Sequence, residues 1–130
     1  MKQLLWLGFG SGLGGCLRYL IDLLALNVGP HAFPFSTFLI NVSGSLLIGY
    51  LAGVGAGGGT FLPQSCRRHF WITGFCGGYT TFSTLSWQVL DLVSAGEGTV
   101  AGAYAAASIA FGMLAVWFGL SLAMRRGNTT

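Results

Sequence analysis

The chain alternates long apolar stretches with short polar punctuation. Four of the stretches reach the ~20 residues that a helix needs to cross a bilayer. They cover residues 4–24, 35–55, 70–93 and 99–124. Turn formers mark the connections: Asn27, Gly29, Pro30 and Pro34 in the first, a glycine run at 57–59 with Pro63 in the second, and SAGEG at 94–98 in the third. The pattern predicts an all-α integral membrane protein. It reads as a single membrane domain over residues 1–130, with four transmembrane helices and little outside them.

Polar positions within the spans are grouped. In the second span Thr37, Asn41 and Ser45 recur at i and i+4, so they share one helical face. An asparagine near mid-membrane is costly without a partner, and its amide offers two N–H donors and a carbonyl acceptor. Glue between helices and the lining of a pore both fit that face. The third span is different in kind. Its centre, TGFCGGYTTFSTLSWQ at 73–88, carries Gly74, Gly77 and Gly78, then Thr80, Thr81, Ser83, Thr84 and Ser86, with four aromatic residues interleaved. An unbroken helix in lipid has no need of this composition. Gly77 and Gly78 invite a break near residues 77–80. Irregular backbone at membrane depth is tolerated only where protein or a bound ion satisfies it. Carbonyls freed by such a break suit a hard monovalent cation such as Na⁺. No carboxylate precedes Asp91 in this span, which disfavours a divalent site. In the fourth span Ser108 lies near the centre, Gly112 one turn later and Trp117 towards an interface.

In the first span Gly8 and Gly12 have the small-xxx-small spacing that lets helices approach closely in lipid. Arg18 sits about one turn from the end of this span. One reading has it snorkelling to the headgroups. The other makes it a structural or vestibule-lining cation, paired with Asp22 at i,i+4.

Composition agrees with the membrane reading. Charged residues make up 7% of the chain, where a soluble domain carries about 25%. The net charge of +3 comes from six basic and three acidic residues. Arg67, Arg68, Arg125 and Arg126 flank apolar stretches, where headgroups lie. No broad basic face with interleaved aromatics exists, so nucleic acid is not an expected partner. Lys2 before the first stretch resembles the start of a signal peptide. The three similar segments that follow, and the motif inside the first, argue for a retained helix. Four spans put Lys2, Arg67, Arg68, Arg125 and Arg126 on one side, and the positive-inside rule then places both termini in the cytoplasm. The expected location is the cell membrane, in a bacterium the inner membrane.

Cys16, Cys66 and Cys76 form no CxxC pair, zinc spacing or disulfide framework and read as small apolar filler. His31 lacks a second ligand at metal spacing and reads as an ordinary loop residue. Thr129 and Thr130 read as a disordered end. Nothing resembles a nucleophile–base pair, a nucleotide loop or a redox site, so the chain is not expected to be an enzyme.

Two groups of motifs resemble the fluoride ion channel family known as Fluc or CrcB, over essentially the whole chain. One is GLGGCLRY at 12–19 with STFLINVSGSLLIG at 36–49; the other is GFCGGYTTFSTLS at 74–86, whose TTFST core is the most distinctive piece. The resemblance implies two four-helix subunits in an antiparallel, dual-topology dimer, with the third helix broken. It implies two fluoride pores along the dimer interface and a non-transported Na⁺ at the centre. By the same resemblance Gly77 and Thr80 supply backbone carbonyls to the Na⁺ from each subunit. Asn41 corresponds to a pore asparagine and Phe82 to the first of two pore phenylalanines. Thr37, Ser83, Thr84 and Ser108 fall at or near polar positions of the permeation path. Arg18 corresponds to an arginine near the vestibule. The implied function is passive, fluoride-selective export that relieves fluoride toxicity, with fluoride ion, the lipid bilayer and a second copy of the chain or a homologous subunit as partners.

The chain departs from the family pattern where a second phenylalanine is replaced by Leu85 and a frequent glutamate by Gln88. Leucine offers no electropositive aromatic edge to an anion. With the biased charge distribution, these departures leave a subunit of an obligate heterodimeric channel open beside the homodimer. A small proton-coupled exporter is a further class. It would be expected to carry a membrane-embedded carboxylate, whereas Asp22 and Asp91 lie near span ends. A structural membrane protein, whose hydroxyls only hold helices together, is the last.

Overall fold

The computed structural model describes residues 1–25, 33–56, 66 and 68–127. The expectations for His31, the 57–59 glycine run, Arg67 and the last two threonines lie outside these residues. The protein is an all-α bundle. Helix α1 spans Lys2–Ala25 and α2 spans Phe35–Ala56. A third segment follows in three parts: a π-helical stretch Arg68–Cys76, a single turn α3 (Gly77–Tyr79) and helix α4 (Phe82–Ser94). Helix α5 spans Gly98–Gly127. Among the described residues, α1, α2 and α5 are each long and apolar enough to cross a membrane unaided. The third segment adds a bent span, and the whole is a multi-pass inner-membrane protein.

Contacts fix the relative directions. Gly10 and Gly14 of α1 lie against the backbone at Phe70 and Phe75, so α1 and the third segment run the same way. Asn41 bonds to Thr81 and Thr37 to Gln88, so α2 runs opposite to the third segment. Gly49 meets Val116, and Gly53 meets Leu120 and Ala123, so α5 runs with α2. Lys2, Arg68, Arg125 and Arg126 therefore share one end of the bundle. There Arg126 Nη1 donates to the Tyr50 hydroxyl at 2.9 Å and ties the end of α5 to α2.

The two tightest seams are made where side chains are missing. A Cβ on Gly14 would overlap the Phe75 carbonyl, and one on Gly78 would overlap the Ser11 carbonyl. The α2–α5 seam uses Gly49 and Gly119 in the same way, against Val116 and Leu46. In lipid, where apolar side chains gain little by leaving the solvent, close backbone approach is the main source of helix association. The residues left outside are large and apolar: Leu4, Leu5, Phe9, Phe111, Met113, Leu114 and Trp117 are exposed. That is the surface a bilayer covers.

The turn between α4 and α5 closes with the Ala95, Gly96 and Glu97 amides. Gly96 has φ +83, the Glu97 N–H reaches the Leu92 carbonyl at 2.9 Å, and the Gly96 N–H reaches Val93 at 3.0 Å. This is the paired 6→1 and 5→2 closure of a helix end that needs glycine at its left-handed position.

Candidate functional site

The break is set by hydroxyl chemistry more than by the glycines. Gly77 and Gly78 are helical, and the chain leaves the helix at Thr80 (φ −78, ψ 160) and Thr81 (φ −149, ψ 122). The break thus lies at the C-terminal edge of the stretch in which the glycine pair suggests it. Gly78 is used instead for contact with α1. Thr81 is the N-cap of α4: its Oγ1 accepts from the Thr84 N–H at 3.2 Å and is joined by the Thr84 and Ser83 hydroxyls at 3.0 and 3.2 Å. A threonine in extended conformation at this position satisfies one of the orphan amides of a new helix.

Asn41 of α2 holds the break from the other side. Its Nδ2 donates to the Thr81 carbonyl at 3.0 Å and its Oδ1 accepts from the Thr81 N–H at 2.9 Å. The amide thus satisfies both backbone polar groups of Thr81 at the break. Gly44, one turn on, provides the room; a Cβ there would overlap the Thr80 methyl and meet the Tyr79 ring. The Tyr79 hydroxyl shares a 3.0 Å hydrogen bond with Ser43. One N–H of Asn41 remains after the bond to Thr81.

These bonds change what the carbonyls before the break can do. The Gly77 carbonyl loses the N–H four residues on, because Thr81 donates to Asn41. The Thr80 carbonyl loses its own, because Thr84 donates to Thr81 Oγ1. Two hard oxygen donors at membrane depth are therefore released from the helix ladder. They sit at the carbonyl end of one helical run, while the amide end of α4 begins two residues on. The first end favours a cation and the second an anion.

Beside the break lies a cleft of about 380 Å³ between α2, α4 and α5. Asn41, Ser45, Thr80, Thr81 and Ser108 supply its polar groups, and Phe82, Leu85 and Met113 are among its apolar ones. No charged residue lines it. Ser108 is buried, and its hydroxyl has no hydrogen-bond partner. Phe82 projects outward with 79% of its surface exposed.

The residues singled out in the sequence are therefore only partly gathered. Asn41, Thr80, Phe82 and Ser108 meet at the cleft. Ser83 and Thr84 bond to Thr81 and do not line it. Thr37 lies one turn along α2, almost wholly buried, and accepts from Gln88 Nε2 at 3.0 Å. Gly77 is exposed, with nothing within 4 Å of the place a Cβ would occupy. Arg18 is half-buried on α1, away from the cleft, and among the described residues it forms no ion pair with Asp22. Three contributors were not singled out as site residues. Thr81 carries a readable signal, a threonine opening an amphipathic run. Tyr104 sits one turn before Ser108 on the same face. Gln88 appeared only as a departure from a pattern.

The fold and site define a multi-pass membrane protein that offers uncharged hydrogen-bond donors, and no reaction machinery, at the break of a split span. A family model described as CrcB-like protein, Camphor Resistance (CrcB), matches residues 5–120. The fluoride-specific ion channel FluC 1 of Bradyrhizobium diazoefficiens is 44% identical over 120 residues, covering 92% of this chain and 83% of that protein. FluC of Methylocella silvestris is 43% identical over 115 residues, 88% of each chain, and FluC of Flavobacterium psychrophilum is 37% identical over 123 residues, 95% of this chain and 98% of that one. The chain belongs to the CrcB/FluC fluoride-channel family. Members of that family are channels, and the chain is not an enzyme.

Proposed function

We propose that the chain is a subunit of a passive, fluoride-selective channel that exports F⁻ and relieves fluoride toxicity. The observation that carries the reading is the buried, unpartnered Ser108 hydroxyl, facing an uncharged cleft beside the Asn41 amide. An orphaned donor at membrane depth is costly unless something binds to it. Fluoride is small and strongly hydrated. A pore for it must replace its water with donors, yet hold no fixed cation that would trap it. Ser108, the remaining Asn41 N–H and the amide end of α4 meet that need, and the Phe82 ring edge adds a weakly electropositive wall. An inside-negative potential of 100 mV drives an anion outward by about 2.3 kcal/mol per charge.

The assembly is an antiparallel, dual-topology dimer with a non-transported Na⁺ at its centre. The donor chemistry fits that ion: the Gly77 and Thr80 carbonyls are released from the ladder, Gly77 is open on the bundle surface, and two copies would double the set. A Na⁺ bound there supplies a fixed positive charge and joins the subunits. The outward Phe82 ring gives the interface an aromatic wall. Thr37, Ser83 and Thr84 belong to the polar path around the cleft, and Arg18 to a vestibule or a structural role on α1.

The test is F⁻ efflux from liposomes containing this chain alone. Fast, uncoupled F⁻ flux with Cl⁻ excluded is the expected result. Dependence on a proton gradient would instead mark an exporter. Silence that ends on adding a homologous subunit would mark a heterodimer, and silence throughout a structural protein. Asn41→Asp is expected to lower flux at least about tenfold, because a carboxylate loses the donor, repels the anion and faces the Thr81 carbonyl.

A further inference from the structure

At the end of the bundle that gathers the basic residues, an open groove of about 490 Å³ lies on an exposed face of α1. Lys2, Leu5, Trp6 and Phe9 line it, at the i, i+3, i+4 and i+7 positions of one helical face. The buried Phe70 ring backs the groove, edge-on to Trp6 at 5.8 Å and tilted to Phe9 at 6.3 Å. Trp71 packs edge-on to Phe70 at 4.9 Å and stays 40% exposed. The exposed Arg68 opens the same stretch, two residues before Phe70.

The order along this face is cation, then indole, then hydrocarbon. A phospholipid presents phosphate, glycerol ester and acyl chain in the same order, and Trp is favoured at the headgroup level. The charge of this end has a definite sign. All three acidic side chains of the protein lie at the opposite end: Asp22 in the last turn of α1, Asp91 in the last turn of α4 and Glu97 in the turn that follows it. No carboxylate side chain therefore competes for Lys2 or Arg68. A zwitterionic headgroup would bring its own ammonium towards these cations, whereas an anionic headgroup carries only the complementary charge. We propose that this groove is a binding site for one anionic phospholipid, with its phosphate facing Lys2 and Arg68 and an acyl chain laid along Leu5, Trp6 and Phe9. The inference rests on the membrane location and not on the channel reading, so F⁻ flux is not its readout.

The test is quenching of Trp fluorescence in phosphatidylcholine vesicles that carry an equal minor fraction of brominated phosphatidylglycerol or brominated phosphatidylcholine. The full chain bears Trp87→Phe and Trp117→Phe, both exposed positions, so that Trp6 and Trp71 report. Native mass spectrometry of the unsubstituted chain counts bound lipid in parallel. Phosphatidylglycerol should be favoured at least about fivefold over phosphatidylcholine. Lys2→Gln and Arg68→Gln should each cut that preference about fivefold, the equivalent of about 1 kcal/mol per basic group near an anionic surface. The double variant should lose it. Arg125→Gln, at the same end but on α5, should leave it unchanged. Glycerol 3-phosphate, which has the phosphate without the chain, should not displace the lipid. Equal quenching by the two brominated lipids would reduce the groove to ordinary lipid contact and overturn the proposal. A loss with Arg125→Gln as large as with Lys2→Gln would mean diffuse attraction to the basic end, and displacement by glycerol 3-phosphate a site for phosphate alone; either result also overturns it.

Discussion

The two halves of the third segment are held by different physics. From Arg68 to Tyr79 the chain lies against α1 almost backbone to backbone, seated by Gly10, Gly14, Gly74 and Gly78 and backed by Trp6 edge-on against Phe70 at 5.8 Å. From Phe82 to Ser94 it is held through polar side chains reaching α2 and α5: Thr37, Gln88 and Tyr104, with Asn41 gripping the junction. The upstream half has no slack, because its fit depends on missing atoms. The downstream half borders a cleft and keeps an unsatisfied hydroxyl beside it. Rigid backbone packing supplies a fixed platform, and the polar half, which is costly to bury unless bonded, carries the candidate site.

Adjacent glycines on the platform break this comparison most sharply. Gly78→Ala would drive a Cβ into the Ser11 backbone, which cannot give way as a flexible side chain would. The expected cost is about 1–3 kcal/mol or more, as for overpacking in a tight core. It is read as a lower unfolding temperature and a loss of monodisperse protein in detergent. Gly77→Ala meets nothing within 4 Å, so the isolated subunit should lose under about 0.5–1 kcal/mol, the helix propensity of alanine even helping. Under the Na⁺-centred dimer proposed above, its defect should appear in subunit assembly or Na⁺-dependent stability. Equal losses of subunit stability in the two variants would show that the close α1 seam is not what holds this half.

Ser108→Ala probes the other half and should give effects of opposite sign. The hydroxyl has no partner, so deleting it removes an uncompensated buried donor and should leave stability unchanged or raise it by up to about 1 kcal/mol. Flux should nevertheless fall about tenfold, if that donor meets the ion. Stability and flux falling together would make Ser108 a packing residue.

The architecture was legible where hydrophobic length and small-residue spacing decide it. Four long apolar stretches with so few charges leave little but a helical membrane bundle, and a span with that many glycines and hydroxyls signals a bend. What periodicity could not give was the division of labour among similar residues. Gly77 and Gly78 look alike in sequence; one is open and the other is pressed on α1. Thr80, Thr81, Ser83 and Thr84 form one hydroxyl cluster by composition. Only the extended φ and ψ at Thr80 and Thr81, and an asparagine forty residues away in sequence, make Thr81 its hub. Gln88 and Tyr104, sixteen residues apart on different helices, needed the tertiary fold to meet.

Leu85 gives the smallest expected effect and the finest test of the contrast between the halves. It lies one turn beyond Thr81, is 9% exposed and forms part of the cleft wall. Leu85→Phe enlarges a buried side chain, which in a filled core costs about 1–3 kcal/mol. Here the added ring can enter the cleft, so the expected destabilisation is below about 1 kcal/mol, in contrast to the single methyl group of Gly78→Ala. The ring also brings an electropositive edge towards Ser108 while narrowing the passage, two effects of opposite sign on an anion. The net change in F⁻ efflux should stay within about threefold, as befits one weak edge contact. A well-folded Leu85→Phe protein with flux abolished would mean that the cleft is sized to leucine. A large destabilisation would mean that the downstream half is as tightly filled as the platform, and that the difference between the halves lies in their bonding alone.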